Sequence, residues 1–237
     1  MAAAKPTEPA PLRGSGAAVA ASQRAFLLPP QKPRRIRAGA IRASPRSSSS
    51  GSPDELPAAL LPNARRLRRR DGCGFSLGID LGEARTGLAV GRGVTLPRPL
   101  TVLRLRGQRL ELMLLDIAHQ QEADELIVGL PVSADGSETP QSNKVRSVVG
   151  RLAVQAADRG LRVYLQDEHG TSIDALEFMI SRGVKRSARD VKSDAYSAMM
   201  ILERYFSSSG QGAKIVLPKQ PELQGKLIAK SRQDAEF

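Results

Sequence analysis

Three carboxylates at the ends of apolar segments, Asp80, Glu168 and Asp194, have the residue type and placement to do chemistry. Asp80 closes the run Phe75-Ser76-Leu77-Gly78-Ile79-Asp80, in which apolar residues alternate with small or polar ones. That is the period of a half-buried strand, with Ser76, Gly78 and Asp80 sharing one face. Glu168 closes a second strand-like segment, Arg162-Val163-Tyr164-Leu165-Gln166-Asp167-Glu168. Asp194 stands one helical turn before Ala198, the first residue of the stripe Ala198, Ile201, Leu202, Tyr205 and Phe206. It therefore opens that helix on its core-facing side, although a solvent-facing acid would serve the helix macrodipole equally well. A lone Asp-x-Gly usually does no more than start a turn. Carboxylates from separate segments that meet in one low-dielectric place repel strongly, and cations are the natural way to hold them together. With no His or Cys in the set, hard oxygen ligands point to Mg²⁺ or Mn²⁺, not to zinc.

The elements that must bring these residues together can be read in order. After the first strand, Gly82 and Gly87 punctuate a turn, and Gly87-Leu88-Ala89-Val90-Gly91 returns as a hairpin. Residues 95–103 carry two prolines before Val102 and Leu103, which suits a short third or edge strand. Leu110, Met113, Leu114, Ile117 and Ala118 recur at helical spacing. Leu126-Ile127-Val128-Gly129-Leu130-Pro131 is a continuous apolar run suited to a parallel strand covered on both faces. A polar loop at 133–142 leads to a helix marked by Val145, Val148, Val149, Leu152, Ala153 and Ala156. Beyond Glu168, Thr171 and Asp174 have the spacing of a capping box, followed by a helix with Ile173, Leu176 and Ile180 on one side, stopped by Gly183. A basic loop at 182–192 then leads to the helix of Asp194. The order β-β-β-α-β-α-β-α-α implies an α/β fold with a mixed sheet covered by helices, and ligands in such sheets sit beyond the strand ends.

Charge divides the chain. Its 237 residues carry a formal net charge of +12, yet residues 1–70 hold 14 basic and 3 acidic side chains, against 22 and 21 in the remainder. The basic character belongs to the leader. Arg-rich, Ser-rich and acid-poor, with no long apolar segment, the leader has the composition of an organelle transit peptide. Its Met1-Ala2-Ala3-Ala4 start and the serine run at 47–50 favour the chloroplast over the mitochondrion. The alternative is a basic tail for RNA binding or nuclear import, centred on Arg65-Arg66-Leu67-Arg68-Arg69-Arg70. Residues 1–70 are therefore expected to lie outside the folded domain at 71–206, and 207–237 to form a polar tail with one short strand near Lys214. No stretch is apolar enough to span a bilayer. The single cysteine, Cys73, excludes an intramolecular disulfide framework.

The pieces Gly78-Ile79-Asp80-Leu81-Gly82 with Thr86-Gly87-Leu88-Ala89-Val90, Ile127-Val128-Gly129-Leu130-Pro131 with Asp135-Gly136-Ser137-Glu138, Asp167-Glu168 before Thr171-Ser172, and Ser193-Asp194-Ala195 before Ile201-Leu202-Glu203 stand in one collinear order. Together they resemble the YqgF family, Holliday-junction-resolvase-like proteins connected with pre-16S rRNA cleavage. The resemblance implies an RNase H-like fold with a five-stranded mixed sheet flanked by helices. It also implies a nuclease for structured nucleic acid, with Asp80, Glu168 and Asp194 as its catalytic, metal-binding carboxylates. Adjacent strand residues face opposite ways, so Asp167 and Glu168 cannot both enter one site; the motif match selects Glu168. Two departures stand out. His169 occupies the place of the family's Arg after the motif Glu, and Val132-Ser133-Ala134 replaces Asn-Met after Gly-Leu-Pro.

The chemistry implied is metal-assisted phosphodiester hydrolysis with water as the attacking group. Lys144 and Arg146 on the second helix, and Arg182, Lys185, Arg186, Arg189 and Lys192 before Asp194, are candidates to hold the phosphate backbone. The substrate expected is a ribosomal RNA precursor in a plastid, with branched DNA as the alternative; no residue speaks to oligomeric state. Two further classes fit parts of the pattern. A binding or assembly factor could keep the fold without catalysis, as the missing Arg allows. An actin-like kinase also uses Asp-x-Gly before a Gly hairpin, but needs two copies of the domain where this chain has one.

Overall fold

The alternation after Gly74 is realised as strand β1, Phe75–Leu81. In this computed structural model, residues 56–63, 74–93 and 95–236 are described. The bulk of the expected transit peptide, the Arg65–Arg70 run and Cys73 lie outside them. β1 pairs antiparallel with β2 (Thr86–Gly91), which pairs antiparallel with β3 (Arg98–Leu103). On its other side β1 runs parallel to β4 (Ala123–Leu130), and β4 runs parallel to β5 (Arg162–Asp167). Helices α1 (Gly107–Gln120), α2 (Pro140–Asp158), α3 (Thr171–Ser181) and α4 (Arg186–Ser207) complete the alternating order. A two-residue strand β6, Lys214–Ile215, adds antiparallel to β5, so the sheet has six strands where five were expected, in the order β3-β2-β1-β4-β5-β6.

The pleat divides the core. Leu77, Ile79 and Leu81 join Leu126, Val128, Leu130 and the apolar faces of α1 and α2 on one side of the sheet. Ile127 and Tyr164 join Ala198, Ile201, Leu202 and Tyr205 of α4 on the other. β4 is thus covered on both faces, as its unbroken apolar run requires. The approach of α4 is unusually close, and glycines permit it. A methyl at Gly78 would stand 2.7 Å from the Ala198 carbonyl oxygen, and one at Gly87 only 1.9 Å from the carbonyl oxygen of Asp194.

Several local expectations are corrected. Thr171 caps nothing: it is the first residue of α3, and its hydroxyl donates to the Glu168 carbonyl at 2.9 Å. A capping box does occur at Thr139 and Ser142, so α2 begins inside the segment expected to be loop. α3 buries Thr171, Ala175 and Met179, leaving Ile173, Leu176 and Ile180 exposed. Small Ala175 at the contact lets α3 lie close against α4, and the larger side chains turn outward. The basic segment before Asp194 is not a loop from Arg186 onward, because α4 starts there and Asp194 lies two turns inside it. The C-terminal segment is not a simple tail. α5, Pro221–Glu236, buries Leu227 against Ala157 and against Leu60 of a 3-10 turn at Ala58–Leu60. Part of the leader expected outside the domain is therefore packed on it.

Candidate active site

Asp80 is the last α4-facing residue of β1, on the same side as Ser76 and Gly78. Its partner across the hairpin is Gly87, over which the Asp194 backbone passes. On the other flank, Ile79 pairs with Val128, and Gly129 follows. A methyl at Gly129 would stand 1.9 Å from Oε2 of Glu168. Both glycines beside Asp80 thus clear the space that the other two acidic residues occupy. Glu168 follows β5 directly; its amide extends the ladder to the Leu130 carbonyl at 3.2 Å. Parity puts Glu168 on the face of Tyr164 and Gln166, and Asp167 on the other, as expected of neighbours on a strand. Asp167 instead accepts the His169 amide at 2.7 Å and ties the turn.

Electrostatics registers the convergence. Burial, then the charge of Asp194, pushes the Asp80 carboxyl up to about 7. Burial, then the charges of Asp80 and Asp167, pushes Glu168 up to about 8. The charges acting on both groups are negative. Glu125, further back on β4, shows the contrast: it is almost fully buried, yet it has the Arg162 guanidinium at 3.6 Å, the Ser76 hydroxyl at 2.6 Å and the Tyr205 hydroxyl at 3.3 Å. That carboxylate is compensated structurally. Glu168 Oε2 is buried with no hydrogen-bond partner.

Asp194 is held by a residue that spacing did not single out. Arg85, in the β1–β2 turn, brings Nε to 2.7 Å from Oδ2 and donates from Nη2 to Oδ1 at 3.3 Å and from Nη1 to the Asp190 carbonyl at 3.1 Å. The Nε–Oδ2 approach is an ion pair without hydrogen-bond alignment, so Oδ2 keeps its acceptor capacity. An Arg in a chain-reversing turn that follows a glycine reads as surface charge; only the fold reveals what it faces. Among the described residues, no three His, Cys, Asp or Glu side chains stand in finished ligand geometry. Asp80 and Glu168 are therefore juxtaposed and Asp194 is latched beside them. The donor set is all oxygen, with Glu168 Oε2 and Asp194 Oδ2 lacking hydrogen-bond partners, and in ligand chemistry, though not in a finished geometry, it suits a hard divalent cation.

The basic candidates separate into two groups. Lys144 pairs with Glu83 at 2.8 Å, and Arg146 pairs with Glu138 through two donors, Nε at 2.9 Å, both at the start of α2. Arg182, Lys185, Arg186 and Lys192 are exposed around the α3–α4 junction and the first turns of α4. Arg182 lies over the Phe178 ring, and Arg189 donates to the Val184 carbonyl at 2.8 Å, a helix-bracing role. The turn after Glu168, where the family Arg is missing, is braced from α4: Arg204 donates to the carbonyls of His169 at 2.8 Å and Asp167 at 3.3 Å. His169 itself is exposed.

The frame of the site is thus a mixed α/β sheet whose first and fifth strands deliver carboxylates under a glycine-cradled helix. Residues 74–208 match the model of the RuvX family, described as Holliday junction resolvase, and the chain belongs to that family. The "Putative pre-16S rRNA nuclease" of Cronobacter sakazakii is 32% identical over 139 residues, covering 58% of this chain and 99% of that protein. The protein of the same description from Salmonella enteritidis PT4 is 33% identical over 132 residues, covering 55% and 94%. Among solved structures, Thermus thermophilus RuvC in complex with a Holliday junction substrate aligns over 60% of this chain and 99% of that chain, at 21% identity and a TM-score of 0.42.

Proposed function

We propose that this chain is a divalent-cation-dependent nuclease that hydrolyses phosphodiester bonds in ribosomal RNA precursor within a plastid. The observation that carries the reading is the pair of half-buried carboxylates, Asp80 and Glu168, on which only negative charges act, while Glu125 of the same sheet face is compensated by Arg162, Ser76 and Tyr205. Carboxylates so placed attract a positive charge, and phosphodiester hydrolysis needs one where the leaving oxygen becomes negative. Asp80, Glu168 and Asp194 would hold Mg²⁺ or Mn²⁺, which supplies Lewis-acid stabilisation of the phosphoryl oxygens. The chain's own residues do the rest. Glu168 Oε2 offers a free acceptor to orient the attacking water, and Asp80 is placed between the other two. Arg85 keeps Asp194 from rotating away and carries a guanidinium beside the position of the phosphate. The α3–α4 junction presents exposed cations for the backbone of the substrate.

Ribosomal RNA as substrate rests on the description shared by the curated relatives, and the plastid on the composition of the leader. The test is incubation of the purified chain with precursor rRNA and, separately, a four-way DNA junction, with Mg²⁺ or EDTA. Cleavage of the RNA that needs Mg²⁺ and falls at least a hundredfold in Asp80→Asn is the expected result. Equal cleavage by that variant sinks the assigned site, and cleavage of the junction alone makes the chain a DNA resolvase. A fluorescent fusion of residues 1–70 tests the compartment.

A further inference from the structure

On the face of the sheet opposite α4, a cavity of about 390 Å³ opens between the β1–β2 turn and the first turns of α1 and α2. Its floor is apolar, with Leu81, Leu110 and Val145 nearly inaccessible to solvent. Its rim is charged: Arg106, Lys144 and Glu83. Lys144 and Arg106 both hold the Glu83 carboxyl below its ordinary range, Lys144 through a hydrogen bond and Arg106 through its charge. Lys144 pairs with this carboxylate, Arg106 acts on it more weakly through its charge alone, and the carboxylate is 73% exposed. An ion pair so exposed is worth little and exchanges readily for another anion. The cavity adjoins the carboxylate site: Leu81 lines it, and the preceding residue, Asp80, faces α4. Only the end of β1 separates the two.

We propose that this cavity receives a nucleotide of the substrate strand next to the scissile bond. Its base rests on the aliphatic floor, and its phosphate takes the place of the Glu83 carboxylate between Arg106 and Lys144. The occupant follows from the combination of an apolar floor, two cations on the rim, and a place at the same end of β1 as the proposed nuclease site. No aromatic ring lines the cavity, so the subsite accepts a base without reading it by stacking. Glu83 acts as a stand-in anion that competes with substrate. This inference rests on the nuclease reading for its choice of ligand, but its test does not depend on cleavage.

The test is equilibrium binding of a fluorescein-labelled short oligoribonucleotide to the full chain in EDTA, with adenosine monophosphate as competitor. Glu83→Gln removes the competing anion and should tighten binding about threefold, whereas Lys144→Gln should weaken it by a similar factor. Asp116→Asn is the control, because Asp116 also pairs with an arginine, Arg159 at 3.3 Å, but on another part of the surface. Val148→Phe, at the partly buried edge of the cavity, should weaken binding several-fold and abolish competition by the mononucleotide, with its melting temperature recorded to confirm folding. The proposal is overturned if Asp116→Asn tightens binding as much as Glu83→Gln, or if folded Val148→Phe binds and is competed like the parent. Absent cleavage alongside these binding shifts would count against the nuclease reading alone, and cleavage without them against the subsite alone.

Discussion

At the scale of the residue, the informative contrast is between carboxylates that the fold compensates and those it leaves open. Asp80 and Glu168 are raised to about 7 and about 8 from ordinary values of 3.8 and 4.5. The folded state thus binds more protons than the unfolded chain between about pH 4 and pH 8, and stability must fall as pH rises through that window. At about 1.4 kcal/mol per tenfold change in proton affinity the two rises set a ceiling of about 9 kcal/mol, and solvent reaching these half-buried carboxyls holds the loss for the pair to about a third of that. In EDTA the protein should melt roughly 5–10 °C lower at pH 8.5 than at pH 5. Asp80→Asn should flatten that slope, since it removes one titrating group and the repulsion it exerts on Glu168. Mg²⁺ should recover part of the loss at pH 8.5 in the parent and little of it in the variant. Calorimetric melts across the range check this, and superimposable slopes for parent and Asp80→Asn would contradict it. Strand parity placed Asp80 on one face with Ser76 and Gly78, but it could only say that Asp167 and Glu168 point opposite ways, and the motif was needed to choose Glu168. The role of Arg85 was not legible, because its partner Asp194 is more than a hundred residues away and no local period connects them.

At the scale of the element, α4 is the device that completes the site. Its apolar stripe was plain in the sequence, but its start was not: Arg186-Ser187-Ala188-Arg189 has no large apolar residue, and Val191, the next, stays exposed. A helix whose first turns face solvent gives no periodic signal. Gly87 was read as turn punctuation and Gly78 as a small strand residue, although both serve as floor for α4. This role is invisible without the neighbouring backbone. It predicts the effect of a single methyl. At Gly87→Ala the new carbon would meet the Asp194 carbonyl oxygen at 1.9 Å and its carbon at 2.1 Å, both backbone atoms that cannot rotate aside. The N-terminal half of α4 must lift, carrying Asp194 away from Asp80. Overpacking of this kind costs about 1–3 kcal/mol, which leaves the fold intact and lowers nuclease activity by more than tenfold. Gly150→Ala, on α2 with open space around it, is the matched control and should retain activity. Should Gly87→Ala melt and cleave like the parent, the cradle has no functional weight.

At the scale of the whole molecule, the domain does not begin where its motifs do. The leader is Ala-, Pro- and Arg-rich, and one buried leucine in such a context makes no pattern, so its docking could not be read. The structure nevertheless buries Leu60 against Ala157 and Leu227, and Asn63 lies almost wholly inside. The Asn63 amide donates to the Tyr205 hydroxyl at 2.8 Å, and the Tyr164 hydroxyl donates to the Leu60 carbonyl at 3.0 Å. Both tyrosines belong to the core between sheet and α4. Removing the segment would uncover α5, take the carbonyl acceptors from the Tyr164 hydroxyl and one donor from the Tyr205 hydroxyl, and loosen the base of the helix that carries Asp194. Burial of one leucine contributes about 1.5–3 kcal/mol, and each lost hydrogen bond about 1 kcal/mol more. A chain beginning at residue 56 should therefore melt roughly 5–10 °C above one beginning at residue 71, with about half of the difference lost in Leu60→Ala, which keeps the two backbone hydrogen bonds. If the leader is removed after import, the cut should fall upstream of the docked turn at Ala58–Leu60, which mass spectrometry of the mature N-terminus would read directly. A mature chain starting near residue 71 with undiminished stability would show the docked segment to be dispensable.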